Sequence, residues 1–287
     1  MISLKTINRQ LKKLNKNQIL MKSTLLSLTI ASTVLSTAAT SADNDVYIEH
    51  APIYVERTST PITIDGKMTE TQWDKARWLP IDNLLLGEQP SKSDFTGDYK
   101  LLWDQDYLYL LARIVDDVLF DKEPEPTKAY WDDDCLEIFI DEDNSGGDHL
   151  NNFNAFAYHL ALDTQVADIA PAKDGGMPAV FKEHVINRWQ RSGTSASSDS
   201  EPEQQAIYWE AAIKLYSADY VHRLNEPETH RVFNQQGKKL GFMLAYCDND
   251  GSDYRESFIG SHPIKPINGD KNLGYKTADV FGDIVLK

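Results

Sequence analysis

The residues with the clearest potential for chemistry lie together between positions 131 and 141. Trp131 opens this stretch, three consecutive acids follow it at positions 132–134, and Glu137 comes shortly after them. An indole offers a flat apolar surface, and a carboxylate accepts hydrogen bonds from hydroxyl groups. Together the two groups suit a ligand with C–H faces and an O–H rim, such as a sugar ring bound in a cleft.

The segment 135–141 must position Glu137. Its residues alternate in character, since Leu136, Ile138 and Ile140 are aliphatic whereas the positions between them are mixed. Successive side chains of a strand point to opposite faces, so this pattern predicts a strand with one face in a core. Glu137 belongs to the second face, where an acid is either solvated at a sheet edge or lines a cleft.

Similar short segments recur along the chain and predict an all-β protein. The predicted strands are 61–66, 101–103, 107–115, 135–141, 153–162, 180–186, 208–215, 240–246, 256–260 and 281–286, the first of which runs into a turn at Asp65-Gly66. One short helix is predicted at 69–76, with Thr69 as its N-cap and Trp73 packed inward. Many short strands without helical periodicity favour a two-sheet antiparallel β-sandwich of jelly-roll or immunoglobulin-like type.

Residues 1–42 predict a targeting segment. Six of them are basic and none is acidic, and small residues follow an apolar run at 25–35. The run is too short to span a bilayer comfortably, and Met21 offers an alternative start for a conventional signal peptide. We therefore expect an exported protein, periplasmic or secreted, with a lead-in segment at 43–60 and one domain at 61–287.

The chain is acidic, with a formal net charge of −15, and loss of the six basic residues of the targeting segment would take this charge to −21. A charge of this sign repels nucleic acid and anionic membrane surfaces. It favours a neutral ligand or divalent cations instead. Neither nucleic-acid binding nor membrane insertion is expected.

Two acidic loops that contain glycine predict calcium sites. The acids concerned are Asp141, Asp143 and Asp148 in the first loop and Asp248 and Asp250 in the second. Hard cations such as calcium need clustered oxygen ligands of this kind. The first loop departs from the EF-hand pattern, so a solvated hairpin turn is the alternative. The second loop can instead place Asp248 or Arg255 at the rim of a ligand cleft.

The two cysteines, Cys135 and Cys247, each lie near one end of a predicted strand. In an oxidising compartment they can pair, although two cysteines do not make a disulfide scaffold. The alternative is two buried, small apolar side chains. The histidines have no ligand-like spacing, so a zinc site is not expected.

A set of short motifs occurs in a recognisable order along the chain. These motifs are Ile64-Asp65-Gly66, Glu70-Thr71-Gln72-Trp73, Leu102-Trp103-Asp104, Tyr107-Leu108-Tyr109, the stretch 134–141, Trp209-Glu210-Ala211-Ala212-Ile213, Gly241-Phe242 and Phe281-Gly282. The ordered set resembles the family 9 carbohydrate-binding modules from about residue 61 to the C-terminus. The resemblance implies a β-sandwich with structural calcium that binds mono- or oligosaccharides without cleaving them, with glycoside hydrolases as partners in polysaccharide catabolism.

The resemblance also implies roles for particular residues. Trp131 matches a tryptophan that stacks on the sugar, and Glu137 matches a glutamate that binds hydroxyl groups. A second stacking tryptophan is expected after the 256–260 strand, but this chain has none there. His262 or Tyr275 can close the cleft instead. His159 and Ala157 stand about where the family has polar ligand-binding residues, and Arg255 is a further candidate for the ligand site.

Three other function classes are compatible with parts of the sequence. A glycoside hydrolase or lyase that uses Glu137 or the acids at 132–134 needs two carboxylates about 5–10 Å apart, which consecutive acids do not by themselves supply. A haem-binding sandwich needs axial ligands, for which Met177, Met243 and His159 are the candidates. The third class is a structural or interaction domain that has kept the fold but lost the sugar site.

Overall fold

A computed structural model of the protein describes residues 51–169, 177–192, 206–222 and 227–287. These ranges contain sixteen β-strands and three short 3₁₀ helices, the latter at Thr71–Lys75, Pro227–His230 and Ala278–Val280. The strands are β1 (Ile53–Arg57), β2 (Leu79–Ile81), β3 (Asn83–Gly87), β4 (Phe95–Trp103), β5 (Leu108–Asp116), β6 (Cys135–Asp141), β7 (Phe156–Ala161), β8 (Val166–Ile169), β9 (Pro178–Val180), β10 (Val185–Arg191), β11 (Ile207–Ile213), β12 (Leu215–Tyr216), β13 (Arg231–Val232), β14 (Lys239–Asp248), β15 (Ser257–Gly260) and β16 (Gly282–Leu286). Within these ranges, no helix has the length and apolar character needed to cross a bilayer.

Fourteen of the strands form one hydrogen-bonded sheet, eleven of them in a single path. Its order is β10-β11-β5-β4-β1-β16-β14-β6-β7-β8-β9, with β2 beside β4, β15 beside β14 and β3 beside β15. The remaining strands, β12 and β13, pair with each other. The prediction of an all-β protein is therefore confirmed.

The large sheet is mixed, whereas wholly antiparallel sheets were predicted. Strand β1 runs parallel to both of its neighbours, with Ile53 opposite Ile284 of β16 and Glu56 opposite Leu102 of β4. Parallel neighbours need a long connection, which the residues between β1 and β4 supply. Strand β1 comes from the predicted lead-in segment, which thus contributes to the sheet and joins its two halves.

The main core lies between these two halves. Inward side chains of β4 and β5 form one buried apolar cluster with those of β6, β7 and β14. Phe95 of β4 stacks on Tyr246 of β14 with ring centroids 5.2 Å apart, and Tyr99 lies 6.0 Å from Phe242. Contacts of this kind bury large apolar areas and hold the halves together.

Strand β6 has the predicted bounds, and it is buried on both faces. Its aliphatic residues at 136, 138 and 140 belong to the main core, whereas Cys135 and Phe139 belong to a second buried cluster with Met243 and Phe281. Strands β14 and β7 flank β6, and Glu137 lies opposite Ala245 and His159. Glu137 is therefore on a central strand rather than at a sheet edge.

The N-terminal part of the domain differs from two predictions. Residues 61–66 form no strand, because the backbone N–H groups of Asp65 and Gly66 donate to the buried carboxylate of Glu210, each at 3.0 Å. The predicted helix at 69–76 is a single 3₁₀ turn, and its N-cap is Glu70, whose side chain makes no capping hydrogen bond. Trp73 is buried as predicted, and its Nε1–H donates to Glu210 Oε1.

Two further strands have different bounds from those predicted. The strand predicted at 153–162 begins only at Phe156, because the preceding chain is folded into turns in which Asn154 N–H donates to Asn152 Oδ1. The strand predicted at 180–186 is two strands, β9 and β10, separated by a turn in which His184 N–H donates to the Phe181 carbonyl. The predicted targeting segment at 1–42 lies outside the described residues.

Candidate functional site

A cavity of about 400 Å³ lies on the outer face of β6. It is lined by Tyr130, Trp131, Glu137, Leu150, His159, Asp168, Ile169, Arg255, Asn272 and Tyr275. Four of the five residues predicted as ligand-binding are in this set. The structure thus brings together Glu137 of β6, His159 of β7, and Trp131 and Arg255 from loops.

Glu137 is the centre of a buried polar cluster at the base of the cavity. Its Oε1 atom lies 2.8 Å from His159 Nε2 and 3.1 Å from Arg255 Nη1. The Cys247 thiol also donates to Oε1, at 3.1 Å, and Arg255 Nη1 lies 3.0 Å from Cys247 Sγ. His159, Arg255 and Cys247 therefore all contact the same carboxylate oxygen of Glu137.

The partners of Glu137 determine its charge. Burial by itself raises the pKa of a carboxyl group, but His159 and Arg255 outweigh this effect and hold the pKa of Glu137 below its usual value. The other ring nitrogen of His159, Nδ1, lies 3.1 Å from the Ala157 carbonyl oxygen. Both ring nitrogens therefore face acceptors, and both can donate only when the ring is protonated.

Aromatic side chains form the upper wall of the cavity. Trp131 is 42% exposed, and the ring of Tyr130 contacts it edge to face at a centroid distance of 4.9 Å. Tyr130 also contacts the His159 ring at 4.6 Å and so connects Trp131 to the polar cluster. Tyr275 contributes a second exposed aromatic side chain to the same cavity.

Asp168 and Asn272 line the cavity but were not predicted from the sequence. Asp168 lies on β8 and is buried, and it accepts hydrogen bonds from the N–H groups of Ala157 and Ile169. Burial raises its pKa to about 7. The sequence offers little indication that Asp168 belongs to the site. Asp168 comes near Glu137 only because β7 pairs with β6 on one side and with β8 on the other.

His262 is absent from the cavity lining. It is buried, its Nδ1 lies 2.8 Å from Ser261 Oγ, and its ring packs so closely on Gly282 that a Cβ atom there would lie 2.0 Å from Nε2. Of the two residues proposed to close the cleft, the structure therefore places Tyr275 in the cavity wall. The haem-ligand candidates Met177 and Met243 are not in the lining either, since Met177 is mostly exposed and Met243 is in the second buried cluster.

The three consecutive acids after Trp131 hold loops in place. Asp134 is fully buried, and its two oxygens accept from the N–H groups of Phe120 and Asn249. Asp133 accepts from Glu123 N–H, and Asp132 lies 3.4 Å from Arg255 N–H. These carboxylates are bonded to backbone around the cavity and are not part of its lining.

One of the two predicted metal loops contributes to a cluster of carboxylates. Oxygens of Asp116, Asp248 and Asp250 all lie within 4.8 Å of one another, and Asp94 and Asp117 form a similar group with Asp250. Asp248 Oδ1 is buried without a hydrogen-bond partner. Burial, reinforced by Asp116, raises the pKa of Asp248 to about 8. The sequence identified Asp248 and Asp250 but missed Asp116, which lies on β5.

In the other loop, only Asp141 is buried. Its Oδ2 accepts from Gly146 N–H at 2.8 Å, and its Oδ1 has no hydrogen-bond partner. Asp143 and Asp148 are exposed and bond to the N–H groups of Ser145 and Leu150. Within the described ranges, these acids do not join a group of three metal-ligand atoms.

A cavity with exposed aromatic rings above buried charged groups is typical of a small-molecule binding protein. Residues 64–287 match the family model described as "Carbohydrate family 9 binding domain-like". The chain belongs to this family, and it is a non-catalytic carbohydrate-binding module. This family membership does not support the glycoside hydrolase alternative.

Solved structures with a similar fold come from the same family. A carbohydrate binding module family 9 from Caldicellulosiruptor kristjanssonii in complex with cellotriose aligns with a TM-score of 0.56 and 20% identity, covering 83% of this chain and 94% of that one. The glucose complex from the same organism aligns with a TM-score of 0.53 and 18% identity, covering 83% and 96%. At these identities the likeness shows the fold.

The curated relatives are much longer enzymes. Endo-1,4-beta-xylanase C of Paenibacillus barcinonensis is 34% identical over 241 residues, which are 83% of this chain and 17% of that protein. Endo-1,4-beta-xylanase A of Thermotoga neapolitana is 30% identical over 224 residues, covering 73% and 17%. The chain spans less than a fifth of the length of such relatives.

Proposed function

We propose that this module binds a neutral mono- or oligosaccharide in the cavity over β6, with one sugar ring stacked on Trp131 and a hydroxyl group bonded to Glu137. The observation that carries this proposal is that an exposed indole and a buried, ion-paired carboxylate line the same cavity. C–H faces of a pyranose suit the indole, and its hydroxyl groups suit the charged base. The chain is similar to modules solved with cellotriose and glucose, which supports this ligand class.

The charges around the cavity also support a neutral ligand. The charge of Glu137 is offset by the guanidinium of Arg255, so the two cavity-lining groups form an ion pair without net charge. Because Oε1 of Glu137 already receives three donors, Oε2 is the oxygen that we assign to the sugar. The Asn272 amide adds a neutral group that can donate and accept.

Tyr275 is our candidate for the second aromatic surface. It replaces the tryptophan expected after β15, which this chain lacks, and it is exposed within the cavity lining. A tyrosine ring stacks on C–H faces as an indole does, but with a smaller area. We therefore expect micromolar to millimolar affinity rather than tighter binding.

Replacing Trp131 with alanine should weaken saccharide binding at least tenfold, because the largest apolar surface in the cavity is lost. Calorimetric titration of the full chain with glucose, xylose, cellotriose and xylotriose would measure this change. Trp131→Phe should recover part of the affinity, and Tyr275→Ala should weaken binding less than Trp131→Ala. Tyr254→Ala is the matched control, since Tyr254 is 73% exposed but is not in the cavity lining.

The titration also tests the proposal as a whole. Equal affinity in Trp131→Ala and the wild type would place the ligand elsewhere. If the folded wild-type chain binds none of these sugars or their longer oligomers, the interaction-domain alternative replaces saccharide binding.

We also propose that calcium binds at the carboxylates of Asp116, Asp248 and Asp250. The unpartnered, buried Oδ1 of Asp248 fits this proposal, because it is a free oxygen ligand, and carboxylates this close repel one another when ionised unless a cation lies between them. The buried Asp141, whose Oδ1 also lacks a partner, supports a second calcium ion at the loop of Asp143. The ions would have a structural role, since they would neutralise acids that tie loops to the sheet.

Calcium should therefore stabilise the fold. At a free concentration one hundred times its dissociation constant, calcium is expected to add about 3 kcal/mol to the free energy of unfolding, which chelator removes. Urea unfolding with calcium and with chelator would measure this difference. Asp248→Asn should reduce the difference, whereas Asp253→Asn, an exposed acid of the same loop, should leave it unchanged. An equal free energy of unfolding in the two buffers would contradict the calcium proposal.

The remaining parts of the function follow from the same proposal. We infer a two-layer β-sandwich, since the two halves of the sheet share one core. The xylanase relatives support a role beside glycoside hydrolases that degrade plant polysaccharides. The basic and apolar character of residues 1–42 supports export. A leader-less variant that stays in the cytoplasm while the full chain is exported would test this last point.

A further inference from the structure

The two cysteines face each other across neighbouring strands. Cys135 begins β6, Cys247 is near the end of β14, and the two residues are directly opposite in the antiparallel register. Their sulfur atoms lie within 4.8 Å of each other, and both are buried free thiols. Opposite residues of antiparallel strands have Cα atoms about 4.5–5.5 Å apart, which falls within the disulfide range of about 4.4–6.8 Å. A bridge between them needs little backbone movement.

Cys247 is also in direct contact with the cavity. Its thiol donates to Glu137 Oε1, and its sulfur lies 3.0 Å from Arg255 Nη1. Both of those side chains line the cavity, although neither cysteine does. The chemical state of the sulfur therefore affects the two charged groups that we assign to ligand binding.

We propose that Cys135 and Cys247 form a disulfide in an oxidising compartment and that this bridge increases the affinity of the cavity for saccharide. Each thiol loses its proton, one S–S bond forms, and two electrons pass to a disulfide oxidant such as oxidised glutathione, which is reduced to two thiols. The affinity effect rests on the proposed function. The formation of the disulfide does not depend on the proposed function.

The direction of the effect follows from the contacts of Glu137. In the thiol form, Oε1 is shared by three donors, from His159, Arg255 and Cys247. The disulfide has no S–H group, so the carboxylate loses one donor and becomes a stronger acceptor for a sugar hydroxyl. The contact from Arg255 does not depend on the S–H group, because the sulfur is its acceptor and keeps its lone pairs in the disulfide. Hydrogen bonds to charged groups are strong enough for this change to alter affinity by about threefold to tenfold.

A metal ion is a less suitable occupant of this cluster. The thiols and Glu137 have ligand atoms close enough to hold one, but the Arg255 guanidinium already lies against both Glu137 Oε1 and Cys247 Sγ. A metal cation would have to displace that positive charge from a buried position. Disulfide formation leaves every charge in place.

The bridge is expected to form while the chain folds. Both thiols are buried in the folded protein, and burial raises the pKa of the Cys135 and Cys247 thiols, so little thiolate is available for exchange. The test therefore refolds the full chain from denaturant, either with oxidised and reduced glutathione or with a reductant alone. Free thiols are then counted under denaturing conditions, and thermal unfolding and cellotriose titration are measured on each folded product.

The expected result has two independent parts. The chain refolded with glutathione should have no free thiol and a Tm raised by roughly 5–15 °C, because the bridge closes a long loop. It should also bind cellotriose about threefold to tenfold more tightly than the reduced chain. Cys135→Ala keeps the Cys247 thiol, so it should bind like the reduced form in both buffers. Cys247→Ala lacks the S–H donor, so it should bind like the oxidised form in both.

Each contrary result overturns a different statement. Two free thiols after oxidative refolding, with cellotriose binding intact, would overturn the modification site. A disulfide without a change in affinity would overturn the link to the cavity, as would equal affinities in the two alanine variants. A disulfide in a chain that binds no saccharide in either state would overturn the proposed function and leave the modification site standing.

Discussion

Replacing Glu137 with alanine is expected to lower the free energy of unfolding by about 3–5 kcal/mol, which is the usual cost of removing one partner of a buried ion pair. Glu137 and its partners Arg255 and His159 are each at least nine-tenths buried at the side chain. Without the carboxylate, the guanidinium remains buried beside Cys247 and Phe258 with no counter-charge. Urea unfolding of the variant and the wild type would measure the loss.

Two further variants separate charge from packing. Glu137→Gln keeps an acceptor for one donor. Its free energy of unfolding should therefore lie between that of the wild type and that of Glu137→Ala. Glu56→Ala removes an exposed acid paired with Lys287 at 3.0 Å, and it should change stability by less than about 1 kcal/mol. A cost for Glu137→Ala no larger than that for Glu56→Ala would show that the buried cluster adds nothing to the fold.

The same variants test the ligand site. Under conditions in which each protein is folded, Glu137→Ala should abolish saccharide binding, since the hydroxyl acceptor is lost and Arg255 is free to move. Glu56→Ala should bind like the wild type. Retained affinity in folded Glu137→Ala would remove this residue from the site while leaving its structural role intact.

Asp168 is expected to make the stability of the module fall as the pH rises from 5 to 8.5. Burial raises its pKa from 3.8 to about 7 in the folded protein, so the folded state holds this proton more tightly than the unfolded state does. Its contribution is complete below about pH 4 and is lost as the pH rises through 7. Between pH 5 and 8.5, the loss should be about 2–3 kcal/mol.

Asp168→Asn isolates this contribution. The variant cannot ionise at that position. Between pH 5 and 8.5, its free energy of unfolding should therefore fall by about 2–3 kcal/mol less than that of the wild type. The free energy of unfolding of Asp168→Asn should also be lower by a constant amount at all pH values. The cause is that its amide NH₂ group replaces a carboxylate oxygen that accepts a backbone N–H group. Asp163→Asn, an exposed acid before β8, should keep the wild-type pH profile. Parallel profiles for Asp168→Asn and the wild type would contradict the prediction.

Part of the local backbone of this protein could be predicted from its sequence. The alternation at 136, 138 and 140 defined β6 to the residue, and polar neighbours indicated that Trp131 is exposed. Side-chain periodicity is a property of residues that are close in the sequence, so it can be read without knowledge of the rest of the fold. Where a distant group competed for the backbone, prediction failed. Residues 61–66 donate to Glu210 rather than to a neighbouring strand.

The tertiary structure decided which polar groups meet. The sequence could assign Glu137 to the second face of β6, but not show that this face is buried or that His159, Arg255 and Cys247 share its Oε1 atom. The sequence did not bring Asp168 or Asn272 to the cavity, and its predicted ligand-binding residues included His262, which is not in the lining, but not Tyr275, which is. These outcomes depend on strand order and register, which join residues far apart in the chain and leave no periodic signal in it.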